Sequence, residues 1–193
     1  MAGTRQPLYR RAMTLRLTDT LILRPLVAED FEAMAALMGD PDVTRYLYWG
    51  PRTREEARDP FEKRRACGII APGVTQLSLG IEESGRLIGE VALMHLDNPH
   101  RDGELGYMLV NGFGGRGIAS CAAGAMLRIG FEQLKLHRIH ARCDDRNIAS
   151  WRVMEKIGLR REAHHLSNEW VKGEWTGALV YALLENEWEA ASR

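Results

Sequence analysis

The stretch NGFGGRGIAS, residues 111–120, decides how this chain is read. Gly112, Gly114 and Gly117 satisfy G-x-G-x-x-G, the dinucleotide-binding spacing, and a shorter G-x-G lies inside it on Gly115 and Gly117. Both patterns lay a phosphate against glycine-rich backbone, but they demand different sheets. A dinucleotide fold makes the strand before the glycines the buried first strand of a parallel, doubly wound sheet. Here that strand, ELGYMLV (104–110), follows a run of hairpins. Asp144 and Asp145 lie beyond the usual acidic position, and the chain after them ends in another hairpin, too short to complete such a sheet. The shorter reading is a strand, a loop and a helix. Phe113, Gly114, Gly115, Arg116, Gly117 and Ile118 then offer successive amides to a diphosphate, with Arg116 adding a charge from the side. The helix N-terminus contributes unpaired amides and about half a positive charge.

Outward from the loop, apolar side chains at Ile118, Ala122, Met126 and Ile129 predict a helix to about Leu134. Residues 139–143 predict a strand, and 149–157 a helix closed by Gly158. Residues 159–170 and 174–184 predict strands around a Lys172-Gly173 turn. Upstream, 20–26, 74–82 and 86–96 predict strands, the last two joined at Ser84-Gly85. Residues 28–38 show helical spacing stopped by Gly39 and Pro41. A capping box, Thr53 with Glu56, predicts a second helix that Pro60 breaks or kinks after about two turns. The sum is a single α/β (α+β) domain over 1–193, with a mixed, mostly antiparallel sheet of about seven strands flanked by helices.

Composition narrows the partners. Of 193 residues, 45% are hydrophobic and 27% charged, ordinary globular values. Lys plus Arg balances Asp plus Glu at 26 each, so no overall field draws nucleic acid or anionic membrane. No apolar run reaches the roughly 18 residues a spanning helix needs, and the N-terminus lacks the apolar core of a secretory signal. Cys67, Cys121 and Cys143 are odd in number and widely spaced, as in a reduced, cytoplasmic protein. His137 and His140 form an isolated H-x-x-H, and no metal site is expected.

The runs ELGYMLVNGFGGRGIAS and LKLHRIHARCDDRNIASWRVMEKIGLRREA together resemble the GNAT superfamily of N-acetyltransferases, and within it the RimJ/RimL-like branch. That branch's W-G-K-G-Y-A is matched by Gly114 to Ala119, and its N-x-x-S before a helix ending in Gly by Asn147, Ser150 and Gly158. TDTLILRPLVAEDFEAM and PDVTRYLYWGP look like its opening segments, so the similarity covers about residues 15–188. Gly112 and Gly114 depart from the pattern, and Gly177 stands where the branch often has Asp four residues before a Tyr, here Tyr181.

The resemblance implies a GNAT-like sheet splayed into an acetyl-CoA cleft and direct acetyl transfer to a primary amine. The acceptor is a protein N-terminal α-amine or, alternatively, a small-molecule amine such as an aminoglycoside or polyamine. A non-catalytic acyl-CoA sensor is the reading from another class. A monomer or homodimer is expected. An α-amine near pKa 8 is about 10% neutral at pH 7, against about 0.04% for a lysine amine, so a base is needed. The resemblance implies that Glu104 is that base. Strand alternation puts Glu104, Gly106 and Met108 on one face and Tyr107 on the other; without the resemblance, a solvated strand end is the preferred reading of Glu104, about two to one. By the same resemblance, Asn147 holds the pantetheine arm and Ser150 lies at the thioester sulfur, where Ser150, Tyr107 or solvent protonates the thiolate. Leu109, Val110 and Ala119 complete the expected cofactor contacts, with a strand amide near Val110 as oxyanion donor. Asn147 is also a natural helix N-cap. Tyr46, Tyr48, Trp49, Trp170 and Trp175 are candidates for an acceptor wall or for plain packing.

Overall fold

The computed structural model describes residues 11–70 and 73–191. Its strands are β1 (Arg11–Ala12), β2 (Leu15–Arg16), β3 (Leu21–Arg24), β4 (Ile69–Ile70), β5 (Gln76–Glu83), β6 (Arg86–Met94), β7 (Asp102–Leu109), β8 (Arg138–Asp144), β9 (Arg160–Val171) and β10 (Glu174–Leu184). The helices are α1 (Phe31–Gly39), α2 (Pro41–Thr44), α3 (Arg58–Ala66), α4 (Ile118–Arg128), α5 (Ile148–Lys156) and α6 (Glu185–Ala191). Eight strands form one sheet, in the order β2-β3-β5-β6-β7-β8-β10-β9, while β1 pairs with β4 apart from it. The strand beyond the seven expected is the short edge piece β2. Among the described residues no helix is long and apolar enough to cross a membrane.

The hairpins form where turn chemistry asks for them. Ser84 and Gly85 both take positive φ, 51° and 82°, as do Lys172 and Gly173, at 50° and 87°. That is the conformation whose twist matches two flanking antiparallel strands. Pro60 behaves differently from expectation. The capping box forms, with the Thr53 amide donating to Glu56 at 2.8 Å, but continuous helix begins only at Arg58. Pro60 therefore falls in the first turn of α3, where its missing N–H has no intrahelical acceptor to lose, and the helix runs on to Ala66.

Two apolar layers cover the sheet. On one side α4 and α5 bury Ile118, Met126 and Met154 against Leu79, Leu93 and Ile139. On the other, Phe31, Met34, Met38 and Phe61 from α1 and α3 close over Leu26 and Leu87. Phe31 meets Phe61 edge-on at 5.4 Å. Full burial of each such side chain is worth about 1.5–3 kcal/mol, which makes both layers substantial. β6, central and buried from Leu87 to Leu93, carries one charge into this interior. Glu90 there is held by Arg64 Nε at 2.9 Å and by the Ser78 hydroxyl.

Candidate active site

The site follows from one break in the sheet. β7 and β8 are its parallel pair, and their register covers only Asp102↔Arg138, Gly103↔Ile139 and Glu104↔His140. Beyond that point β7 stays with β6 as far as Gly89↔Leu109. β8 instead follows β10 through Asp144. The two strands diverge, and a cleft opens between them. The Val110 amide donates to Ile88 O at 2.8 Å. By the alternation of an antiparallel ladder, the amides of Tyr107 and Leu109 then point to the opposite edge, into the gap left by β8.

A cavity of about 570 Å³ occupies one end of the cleft. Leu109, Phe113, Gly114, Gly115, Gly117, Ile118 and Ala119 line it on one side, and Asn147, Ser150, Arg152 and Lys156 of α5 on the other. Gly115 and Gly117 have φ of 76° and 80°, which only glycine adopts at little cost, and Gly117 is the N-cap of α4. The first amides of α4 have no intrahelical acceptor and face this space. A Cβ on Gly117 would lie 3.7 Å from Lys156 Nζ, so the lysine sits directly opposite the loop. The Asn147 Oδ1 accepts from the Ser150 amide at 3.1 Å, which starts α5 at the cleft wall. Amides, a helix start and two cations around an apolar floor fit a diphosphate with a pantetheine arm.

A second cavity, about 320 Å³, continues from the first past Tyr46, Leu47, Tyr107, Met108, Asn147 and Ser150, which line both. Its own wall holds Tyr48, Trp49, Glu90, Glu104 and Arg142. The segment carrying the aromatics is tied across the cleft: Lys172 Nζ donates to Thr44 O and Arg45 O at 2.8 and 2.7 Å. Arg142 Nε donates to the Tyr48 hydroxyl at 3.0 Å while its Nη2 bonds Glu169. Glu90 is matched by Arg64, which leaves Glu104 as the other carboxylate of this wall.

At the junction, the Tyr107 hydroxyl donates to Ser150 O at 2.9 Å and lies 3.1 Å from Ser150 Oγ. Burial raises the phenol well above its ordinary value, so it remains a neutral hydroxyl. The Cys143 thiol beside them is pushed up to about 11 by burial, against the pull of a hydrogen bond with Ser150. It is no nucleophile near neutral pH. Among the described residues no cluster of His, Cys, Asp or Glu is arranged to hold a metal.

Residues 20–160 match the acetyltransferase (GNAT) domain family. The chain belongs to the GNAT acetyltransferase family. It is an acetyl-CoA-dependent N-acetyltransferase. It is 32% identical over 171 residues to the uncharacterized N-acetyltransferase YnaD of Bacillus subtilis strain 168, covering 89% of this chain and 97% of that protein. A GNAT-family acetyltransferase from Bacillus anthracis superposes with a TM-score of 0.78 at 32% identity, over 91% of this chain and all of the other. Two solved structures with bound coenzyme A share the fold at lower identity. One is the Vibrio cholerae spermidine N-acetyltransferase with spermine, at 20% and TM-score 0.76 over 89% and 99% of the two chains. The other is RimL, the ribosomal L7/L12 α-N-protein acetyltransferase, at 18% and 0.80 over 91% and 99%.

In this GNAT enzyme the candidates from sequence divide. Glu104, Leu109, Phe113, Gly114, Gly115, Gly117, Ile118, Ala119, Asn147 and Ser150 border the cleft. Val110 does not: its amide is taken by Ile88 O and its side chain packs on the α1–α3 layer. Arg116 is also turned away, because Glu83 at the end of β5 holds its guanidinium with two bonds of 3.0 and 2.8 Å. Of the aromatics, Tyr46, Tyr48 and Trp49 line the acceptor side, whereas Trp170 and Trp175 stack edge-on at the exposed β9–β10 hairpin. Asp145 fills the space a side chain at 177 would take, so the glycine there has a packing reason. Arg152 and Lys156 were missed, although their four-residue spacing on a predicted helix put them on one face.

Proposed function

We propose that this single-domain enzyme acetylates the N-terminal α-amine of a polypeptide, as a RimJ/RimL-like enzyme of the cytoplasm. The observation that carries the reading is the continuous path from the α4 amides to Glu104. The diphosphate end belongs at Gly114–Ala119, opposite Lys156, and the pantetheine arm beside Asn147. The thioester carbonyl then meets the inward amides of β7, Tyr107 or Leu109, on the strand ending at Val110 from which an oxyanion donor is expected. Glu104 removes the ammonium proton from the acceptor. Ser150, backed by the neutral Tyr107, hydrogen-bonds the departing thiolate. The high-lying thiol of Cys143 supports direct transfer without an acyl-enzyme. For the acceptor, an aromatic wall with one carboxylate unmatched by arginine suits a single ammonium on a chain better than a polyamine. A linear polycation asks for several such carboxylates.

The test is thiol release from acetyl-CoA with free peptides, the same peptides blocked at the N-terminus, aminoglycosides and polyamines. Free peptides are expected to release thiol and blocked, lysine-containing ones not. Faster turnover of spermidine, the acceptor of the relative of known structure, moves the enzyme to small amines. Tight coenzyme A binding without thiol release from any amine makes it a sensor.

The cofactor cradle has its own expected outcome. Lys156→Ala removes a cation facing the phosphate loop, and a charge-assisted contact is worth about 1.5–3 kcal/mol. The KM for acetyl-CoA is expected to rise about tenfold or more while kcat stays near the parent value, as read by steady-state kinetics. Arg116→Ala, whose side chain is held by Glu83, is expected to change KM less than threefold (about 0.6 kcal/mol).

A further inference from the structure

Beside Glu104, on two residues that are not among the lining of the acceptor cavity, two imidazoles converge on one carboxylate oxygen. His95 Nε2 lies 3.5 Å from Glu104 Oε2, and His140 Nε2 lies 3.9 Å from the same atom. His140 is oriented from its far side, since its Nδ1 is 3.2 Å from Asp102 Oδ1. Asp102 is itself steadied by Arg138 at 3.5 Å, and Arg138 by Glu162 at 2.6 Å. His95 follows β6 in the left-handed region, φ 59°, a conformation uncommon for a non-glycine residue and held here with its ring against Glu104. Glu104 and His140 are 21% and 20% exposed, whereas His95 is 73% exposed and reaches solvent.

We propose that Asp102, His140 and Glu104 form a proton relay, with His95 as its outlet, that empties the catalytic carboxylate into solvent after each acetyl transfer. The inference rests on the reading of Glu104 as the base. Glu104 leaves the transfer step as a carboxylic acid, and the cavity on its other face is lined by Tyr46, Leu47 and Tyr48 and filled by product. Its O–H proton passes through one bridging water across the 3.9 Å to His140 Nε2, giving an imidazolium whose Nδ1–H faces the Asp102 carboxylate. The imidazolium then loses the proton to water, and His95, 3.5 Å from the same carboxylate oxygen, offers Glu104 a second exit to solvent, so that Glu104 is a carboxylate again. No bond other than O–H and N–H changes. Asp102 fixes which nitrogen faces Glu104, as a carboxylate does for any relay histidine. Arg142 on β8 also lies near Glu104, and it is held by Tyr48 and Glu169; Arg64 and Glu90 in the same cavity wall pair with each other.

The test uses the full chain with acetyl-CoA and the best acceptor from the screen. His140→Gln is expected to lower kcat about tenfold, less than the roughly hundredfold or more that a group acting on the substrate's own proton supplies, with the KM for acetyl-CoA unchanged. Added imidazole is expected to restore most of that kcat, which a merely structural loss would not allow. Asp102→Asn leaves the imidazole in place and removes its orienting charge, so it is expected to slow turnover about threefold, a smaller step on the same scale. It also serves as the second variant should His140→Gln fold poorly. His140→Gln with kcat within twofold of the parent, or a loss that imidazole fails to rescue, overturns the relay. Glu104→Gln separates the two readings: if it is inactive while His140→Gln is normal, the base stands and the relay falls. If Glu104→Gln is fully active, both fall.

Discussion

Glu104→Gln is expected to lower kcat/KM for the amine by about 10²- to 10³-fold, some 3–4 kcal/mol of lost transition-state stabilisation. The substitution keeps the shape of the side chain and removes its basicity. Glu104 borders the acceptor cavity and not the cofactor cavity, so the affinity for acetyl-CoA is expected to hold, as read by calorimetry. The deficit has a characteristic pH dependence. An α-amine loses its proton in solution as pH approaches about 8, and the variant then needs no base. The gap to the parent enzyme should therefore narrow as pH rises through that range. A deficit that stays constant with pH, or one below threefold, removes Glu104 from the chemistry. A gap that closes on raising the pH leaves a merely steric role without an explanation.

The parts of this fold legible in the sequence are those written in local chemistry. The turns at Ser84-Gly85 and Lys172-Gly173 were readable because positive φ at two successive positions selects few residues. The glycine loop was readable because Gly115 and Gly117 take positive φ, and the Asn147 cap because its side-chain oxygen can accept a first-turn amide. Pro60 was misread because its effect depends on its distance from the helix start, and the capping box at Thr53 placed that start several residues too early. Strand parity rightly put Glu104 and Tyr107 on opposite faces. It gave no sign that both would border one cleft, because that depends on where the β7–β8 ladder stops. Nothing local ends it: β7 runs on against β6 and β8 against β10, each held by its outer edge while the facing edges part. Arg116 failed for a similar reason, since its partner Glu83 lies in another strand. The aromatic candidates were alike in sequence and were sorted only by which were tied over the cavity by Lys172 and Arg142.

That tie depends on the α1–α3 layer staying closed, and the layer hangs on one arginine. Arg24 Nε bonds Glu82 at 2.5 Å, and its two terminal nitrogens bond Asp30 at 2.6 and 2.8 Å. Asp30 is almost buried and also accepts the Val27 amide at 2.8 Å, which fixes the turn from which α1 departs. Arg24→Ala strands two carboxylates in a poorly solvated place, a change that costs about 3–5 kcal/mol. For a chain of this size the melting temperature is expected to fall by about 10 °C. The pH dependence has a definite sign. Burial alone would raise Asp30, but the Arg24 and Val27 hydrogen bonds outweigh it and hold the carboxyl below its ordinary range. A depressed acid contributes stability above its unfolded value, about 4, and loses it as pH falls through the lower folded value. Without Arg24, burial dominates and the group favours its protonated form, so the destabilisation should be full at neutral pH. It should begin to shrink as pH falls through the raised folded value of the variant, and go on shrinking below about 4 as the parent loses the contribution of its own depressed Asp30. Arg24→Lys, which keeps the charge but not the fork, is expected to recover only part of the loss. A melting temperature unchanged by Arg24→Ala, or a loss equal at neutral and acid pH, would mean that apolar packing of Phe31 and Phe61 alone holds this layer shut.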